Sequence, residues 1–84
     1  MVKTAEIMNL LRKNGYRSVY EFAQDCGMDG SNVKKNIDGK YIPGMKTMFV
    51  FAETLHVSIE LIISLFYPKD YKHYLRTVKK SAEI

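Results

Sequence analysis

Apolar residues recur at helical spacing in segment after segment of this chain, and the pattern predicts an all-α protein. A first helix is expected from Thr4 to Asn14, with Ile7, Leu10 and Leu11 facing inward and Gly15 stopping it. The second opens on a capping box: Ser18 and Glu21 are spaced so that each side chain can bond the other's backbone N–H, ahead of the apolar Val19, Phe22, Ala23 and Cys26. Gly27 tolerates the left-handed backbone that ends a helix, and Asp29 is placed to cap the next one. That third helix, from near Gly30, has only Val33 and Ile37 as apolar positions, one turn apart. Ser31, Asn32, Lys34 and Lys35 are thereby left to solvent or to a ligand. Two glycines and a proline make 38–44 a loop. The fourth helix, Met45 to Leu55, shows the stripe Met45, Met48, Phe49, Ala52 and Leu55. Ser58 caps a fifth in which Ile59, Leu61, Ile62, Ile63, Leu65 and Phe66 are apolar on nearly every face, and Pro68 ends it. The tail from Asp70 to Ile84 fits a sixth helix, with Tyr71, Tyr74, Leu75 and Val78 on one side and basic residues on the other.

Two short helices broken at Cys26-Gly27-Met28, the second of them polar, are the signature of a helix-turn-helix. On these residues the chain resembles the Cro/repressor-type (XRE-like) helix-turn-helix family of phage and bacterial DNA-binding regulators. The family's Leu-Ala pair, turn glycine, apolar residue of helix 3, and following glycine and proline correspond here to Phe22-Ala23, Gly27, Val33, Gly39 and Pro43. Its Ala-x-x-Leu-x-Val-Ser sequence is met by Ala52 to Ser58, and the likeness spans roughly residues 5–66. The chain also departs from the pattern. Val19 stands where the family often has a phosphate-contacting glutamine. Leu11 and Ile37 stand where it often pairs an arginine with a glutamate; an aliphatic contact there avoids desolvating two charges. The Gly15-Tyr16-Arg17 turn is one residue longer than the common spacing, so Arg12 is the alternative for the arginine position.

The resemblance implies a compact five-helix domain over 1–67; the residues that follow, 68–84, read by their own pattern as a basic and aromatic extension that can form an additional C-terminal helix. It also implies that helix 3 enters the major groove of double-stranded DNA. Base readout would then fall to Ser31, Asn32 and Lys35, with Gly30 letting the backbone approach the DNA closely. Ser18, Lys34, Lys40, Tyr41 and Lys46 would contact phosphates, setting register without specifying sequence. Asn36 reads instead as a bond to nearby backbone. The rival reading is a protein-binding modulator, antirepressor-like, that uses the fold without reading DNA. Val19, Gly30, Asp29 and Asp38 favour that rival; Lys34, Lys35 and Lys40 oppose it.

Charge and cysteine content narrow the partners. The 84 residues carry a formal charge of +4 and a pI near 9.2, as suits a nucleic-acid partner where the positive charge is gathered on one face. One basic group, Lys34, Lys35, Lys40 and Lys46, flanks the third helix; another, Lys69, Lys72, Arg76, Lys79 and Lys80, lies in the tail. A single cysteine excludes an intramolecular disulfide framework and points to the cytoplasm. Cys26 itself reads as a small core residue. No stretch is apolar enough over sufficient length to span a bilayer, and no membrane partner is expected. His56 and His73 are isolated from other ligand types, and no phosphate loop or nucleophile elbow occurs, so neither catalysis nor a cofactor is expected. The apolar surplus of Ile59, Ile63 and Phe66, joined by Tyr71, Tyr74 and Leu75, needs burial. Either the tail folds back over helix 5, or two chains pair as a homodimer with recognition helices roughly 34 Å apart.

Overall fold

A computed structural model describes residues 1–82, with side chains through Thr77. The side chains of Val78, Lys79 and Lys80, and the chain end at Ile84, lie outside the described residues. The described chain is all-α, with six helices: α1 (Thr4–Lys13), α2 (Val19–Cys26), α3 (Gly30–Ile37), α4 (Met45–Leu55), α5 (Ile59–Phe66) and α6 (Pro68–Ala82).

Local chemistry sets most of these boundaries. Ser18 caps α2, its Oγ accepting from the Glu21 backbone N–H at 3.2 Å. This is half of the expected capping box, for among the described residues no bond runs from the Glu21 side chain back to the Ser18 amide. Asp29 caps α3 and Ser58 caps α5 in the same manner. Gly27 ends α2 with φ +69°, and His56 ends α4 in the same left-handed region at φ 56°, a conformation for which a side chain is penalised. Tyr67 precedes a proline, which disfavours helical backbone, and Pro68 has no N–H to leave unpaired at a first helical position. One residue therefore separates α5 from α6, and the tail helix starts two positions before the expected Asp70.

The core joins α1, α2, α3, α4 and α5. Tyr16, Phe22, Phe51 and Phe66 form an aromatic series through it, with successive ring centroids 5.4, 5.3 and 5.7 Å apart. Two bonds fasten α1: the Lys3 amide donates to the Leu65 carbonyl at 2.9 Å, and the Thr4 hydroxyl donates to the Ile37 carbonyl at 2.6 Å.

Several inward assignments change. Phe49 and Met45 are half exposed, and Phe51 takes the core position of α4. The stripes 45-48-49-52-55 and 48-51-52-55 share Met48, Ala52 and Leu55, and the choice goes to the one whose phenylalanine fits between Phe22 and Phe66. Leu10 is half-buried, whereas Ile7 and Leu11 are buried. Leu11 and Ile37 lie in one apolar core, while Arg12 faces out and bonds the Asn9 side chain at 3.1 Å. Phe66 belongs to the chain's own core and is not surplus apolar surface. Nor does α6 fold back over α5: Lys72 to Thr77 are all exposed.

Candidate nucleic-acid interface

α3 is held against α2 by its narrow apolar stripe, Val33 and Ile37, which is buried in the core with Phe22 and Ala23 of α2. The opposite side of so short a helix must face out. Ser31 and Asn32 do so without side-chain partners among the described residues; their backbone amides donate to Asp29 Oδ1 at 2.7 and 3.3 Å. The Asp29 carboxylate thereby occupies the N-terminus of α3, where it complements the helix dipole and excludes an anion from that end.

Gly30 differs from expectation. It is half-buried, and a Cβ built on it would overlap the Tyr20 ring. The absent side chain makes room for a tyrosine, whose ring occupies the side of Gly30 where a Cβ would be. Tyr20 itself is 55% exposed, which adds a ring and a phenolic hydroxyl beside the first turn of α3. A tyrosine one position into α2, paired with a glycine at the start of α3, was the only trace of this contact in the sequence.

The lysines divide by environment. Lys34 pairs with Asp38 at 3.3 Å across one helical turn, a surface ion pair worth a fraction of a kcal/mol that a phosphate readily replaces. Lys35 is not the fully exposed side chain expected of a base reader. It is half-buried, with Nζ 5.1 Å from the Tyr41 ring centroid, a cation–π arrangement. The loop after α3 causes this, because the Lys35 carbonyl accepts from the amides of both Lys40 and Tyr41 and coils the chain back on the helix. Asn36 Nδ2 donates to the Tyr41 carbonyl at 2.8 Å, the backbone bond expected of it. Lys40 and Tyr41 are exposed in that loop, and Lys46 is exposed in the first turn of α4, whose N-cap residue Gly44 supplies no side-chain cap. The Ser18 hydroxyl serves α2 as an acceptor and keeps its proton to donate. From Asp29 to Lys46 the sequence sets four lysines against two aspartates, leaving this stretch net positive. Exposed Ile42, Met45 and Phe49 interleave with the basic positions.

Beside this face, Ile59, Ile63 and Tyr71 are half-buried along a groove that Met45 and the exposed Tyr74 also line, and Leu75 is exposed. Two groups elsewhere have displaced acidities. The Tyr16 hydroxyl, which donates to Asp25 Oδ2 at 2.8 Å, is pushed up to about 12 by that bond, by partial burial and by the carboxylate charge. Burial pushes the Cys26 thiol up, against a 3.6 Å contact with the Thr54 hydroxyl that opposes the shift. Among the described residues no cluster of three His, Cys, Asp or Glu could hold a metal ion, and no helix is long and apolar enough to cross a membrane. No protein-family model, curated protein or solved structure matches the chain.

Proposed function

We propose that this chain is a non-enzymatic, sequence-specific DNA-binding transcriptional regulator of the Cro/repressor helix-turn-helix type, with α3 in the major groove and a cytoplasmic, paired mode of action. The observation that carries the reading is α3 itself. It is anchored by two buried residues, capped at its start, and turns Ser31 and Asn32 outward with free side chains, with Lys34, Lys35, Lys40 and Lys46 around them. A polar helix held this firmly has donors and acceptors to spend on base edges, and Asn pairs well with adenine N6 and N7. Tyr20 and Tyr41 join Ser18, Lys34, Lys40 and Lys46 as candidate phosphate contacts. Lys35, lying on Tyr41, is held close to the helix and would reach guanine by leaving the ring.

A second reading, recognition of another regulatory protein, draws support from exposed Ile42, Met45 and Phe49 beside α3 and from Asp29 at its N-terminus. Electrophoretic mobility shift of genomic duplex fragments separates the two. On the DNA reading the chain retards a subset of fragments, and six to ten phosphate contacts in a pair cost about a thousandfold or more in affinity between about 50 and 200 mM salt. Lys35→Glu should abolish the specific shift with an unchanged helical circular dichroism signal. Salt-independent retardation, or none at low salt, removes DNA as the partner.

A further inference from the structure

Between the start of α4, α5 and α6 the surface opens into a groove of about 590 Å³. Met45, Met48, Ile59, Ile63, Tyr67 and Tyr71 make it mainly apolar, and the charged side chains in its lining are the carboxylates of Glu60 and Asp70. Tyr67 fixes its shape. The hydroxyl donates to the Pro43 carbonyl at 2.7 Å, so the bend between α5 and α6 is tied to the loop after α3. From that bend α6 runs on to Ala82 as an amphipathic helix, on which Tyr74, at the end of the groove lining, is 58% exposed and Leu75 39%. Around those two residues stand Lys69, Lys72, His73 and Arg76, all exposed.

One chain thus carries an apolar groove edged by carboxylates and, continuing from it through Tyr74, an apolar helix face edged by cations, both left open among the described residues. Self-complementarity of this kind is what a twofold interface requires, since each patch must meet its counterpart twice. Tyrosine, present on both sides, and methionine, in the groove as Met45 and Met48, are also residues that buried interface centres favour. We propose that the groove receives α6 of a second copy of this chain, the two protomers exchanging their C-terminal helices. Tyr74 and Leu75 of one protomer seat against Ile63 and Tyr71 of the other, and Lys72 and Arg76 lie along the edge formed by Glu60 and Asp70. The proposal takes the existence of a second copy from the paired reading above and takes nothing from DNA binding.

Sedimentation equilibrium of the full chain without DNA tests it. The native chain is expected to be dimeric at tens of micromolar, and Tyr74→Glu with Leu75→Glu should leave a monomer of unchanged helical content, both positions being exposed. Reversing the groove (Glu60→Lys with Asp70→Lys) or the helix edge (Lys72→Glu with Arg76→Glu) should each weaken self-association about tenfold or more. Mixing the two reversed chains should restore pairing, because each groove then meets a helix of opposite charge. Neutral versions (Glu60→Gln with Asp70→Asn) replace any reversed chain that loses helical signal, and the expected weakening is then smaller but in the same direction. A native chain that stays monomeric overturns both the pairing and this interface. A dimer indifferent to all these substitutions, or reversed chains that do not rescue each other, overturns this interface alone.

Discussion

Tyr20 lies over Gly30, and that one contact changes what the first turn of the candidate reading helix offers. A missing side chain reads in a sequence as an opening, but the structure fills it with a ring from the preceding helix, 55% exposed at the same face. Lys35 shows the same kind of substitution, with an apparently free cation resting on Tyr41. Both contacts depend on where a neighbouring backbone goes, which spacing within one helix does not encode. Tyr16 gives a titratable counterpart. Its folded acidity lies at about 12 against an ordinary value of 10.0, so the native state holds the phenolic proton more tightly than the unfolded chain does. The Tyr16 to Asp25 bond therefore contributes fully below pH 10 and is lost as pH rises toward 12. Tyr16→Phe keeps the ring against Phe22 and loses the bond. Urea unfolding should find the native chain more stable than this variant at pH 8, with the gap closing between about pH 10 and 12. A gap that is constant with pH would show that the bond contributes nothing.

At the scale of elements, the signals that proved legible were those carried by adjacent residues. Ser18, Asp29 and Ser58 each cap the helix that follows, and Gly27 closes α2, because a cap is a bond between groups two or three residues apart. Asp29 is the most consequential, satisfying two amides at the start of α3. Asp29→Ala should lower unfolding free energy by about 1 kcal/mol, within a range of roughly 0.5–2, measured as a reduced urea midpoint at constant slope. An unchanged midpoint would mean that solvent caps α3 equally well. The choice between Phe49 and Phe51 was not legible, since either phenylalanine completes a helical stripe with Met48, Ala52 and Leu55. Only the fit of Phe51 between Phe22 and Phe66 decides it. Likewise Phe66 looked like surplus on a helix apolar all round, and tertiary packing claimed it for the core.

Across the whole molecule, 46 × 24 × 22 Å in extent, the basic residues near α3 and the open groove beside α6 meet at the start of α4, where Met45 borders the groove next to Lys46. The all-α class and the order of the first five helices were legible from periodicity and punctuation. The course of α6 was not, because an amphipathic tail reads identically whether it covers its own chain or reaches outward. Tyr67 links the two regions, since its hydroxyl holds the loop that leaves α3 while its ring lines the groove. The central claim, that α3 reads DNA sequence, is tested most directly by selecting duplexes from a random-sequence pool with the native chain and with Asn32→Ala, and sequencing what is retained. The native chain is expected to enrich one motif, and Asn32→Ala is expected still to bind but to relax preference at one or two base pairs by about 1–3 kcal/mol. Retention with no enriched motif, or an enriched motif that Asn32→Ala leaves intact, would contradict that claim.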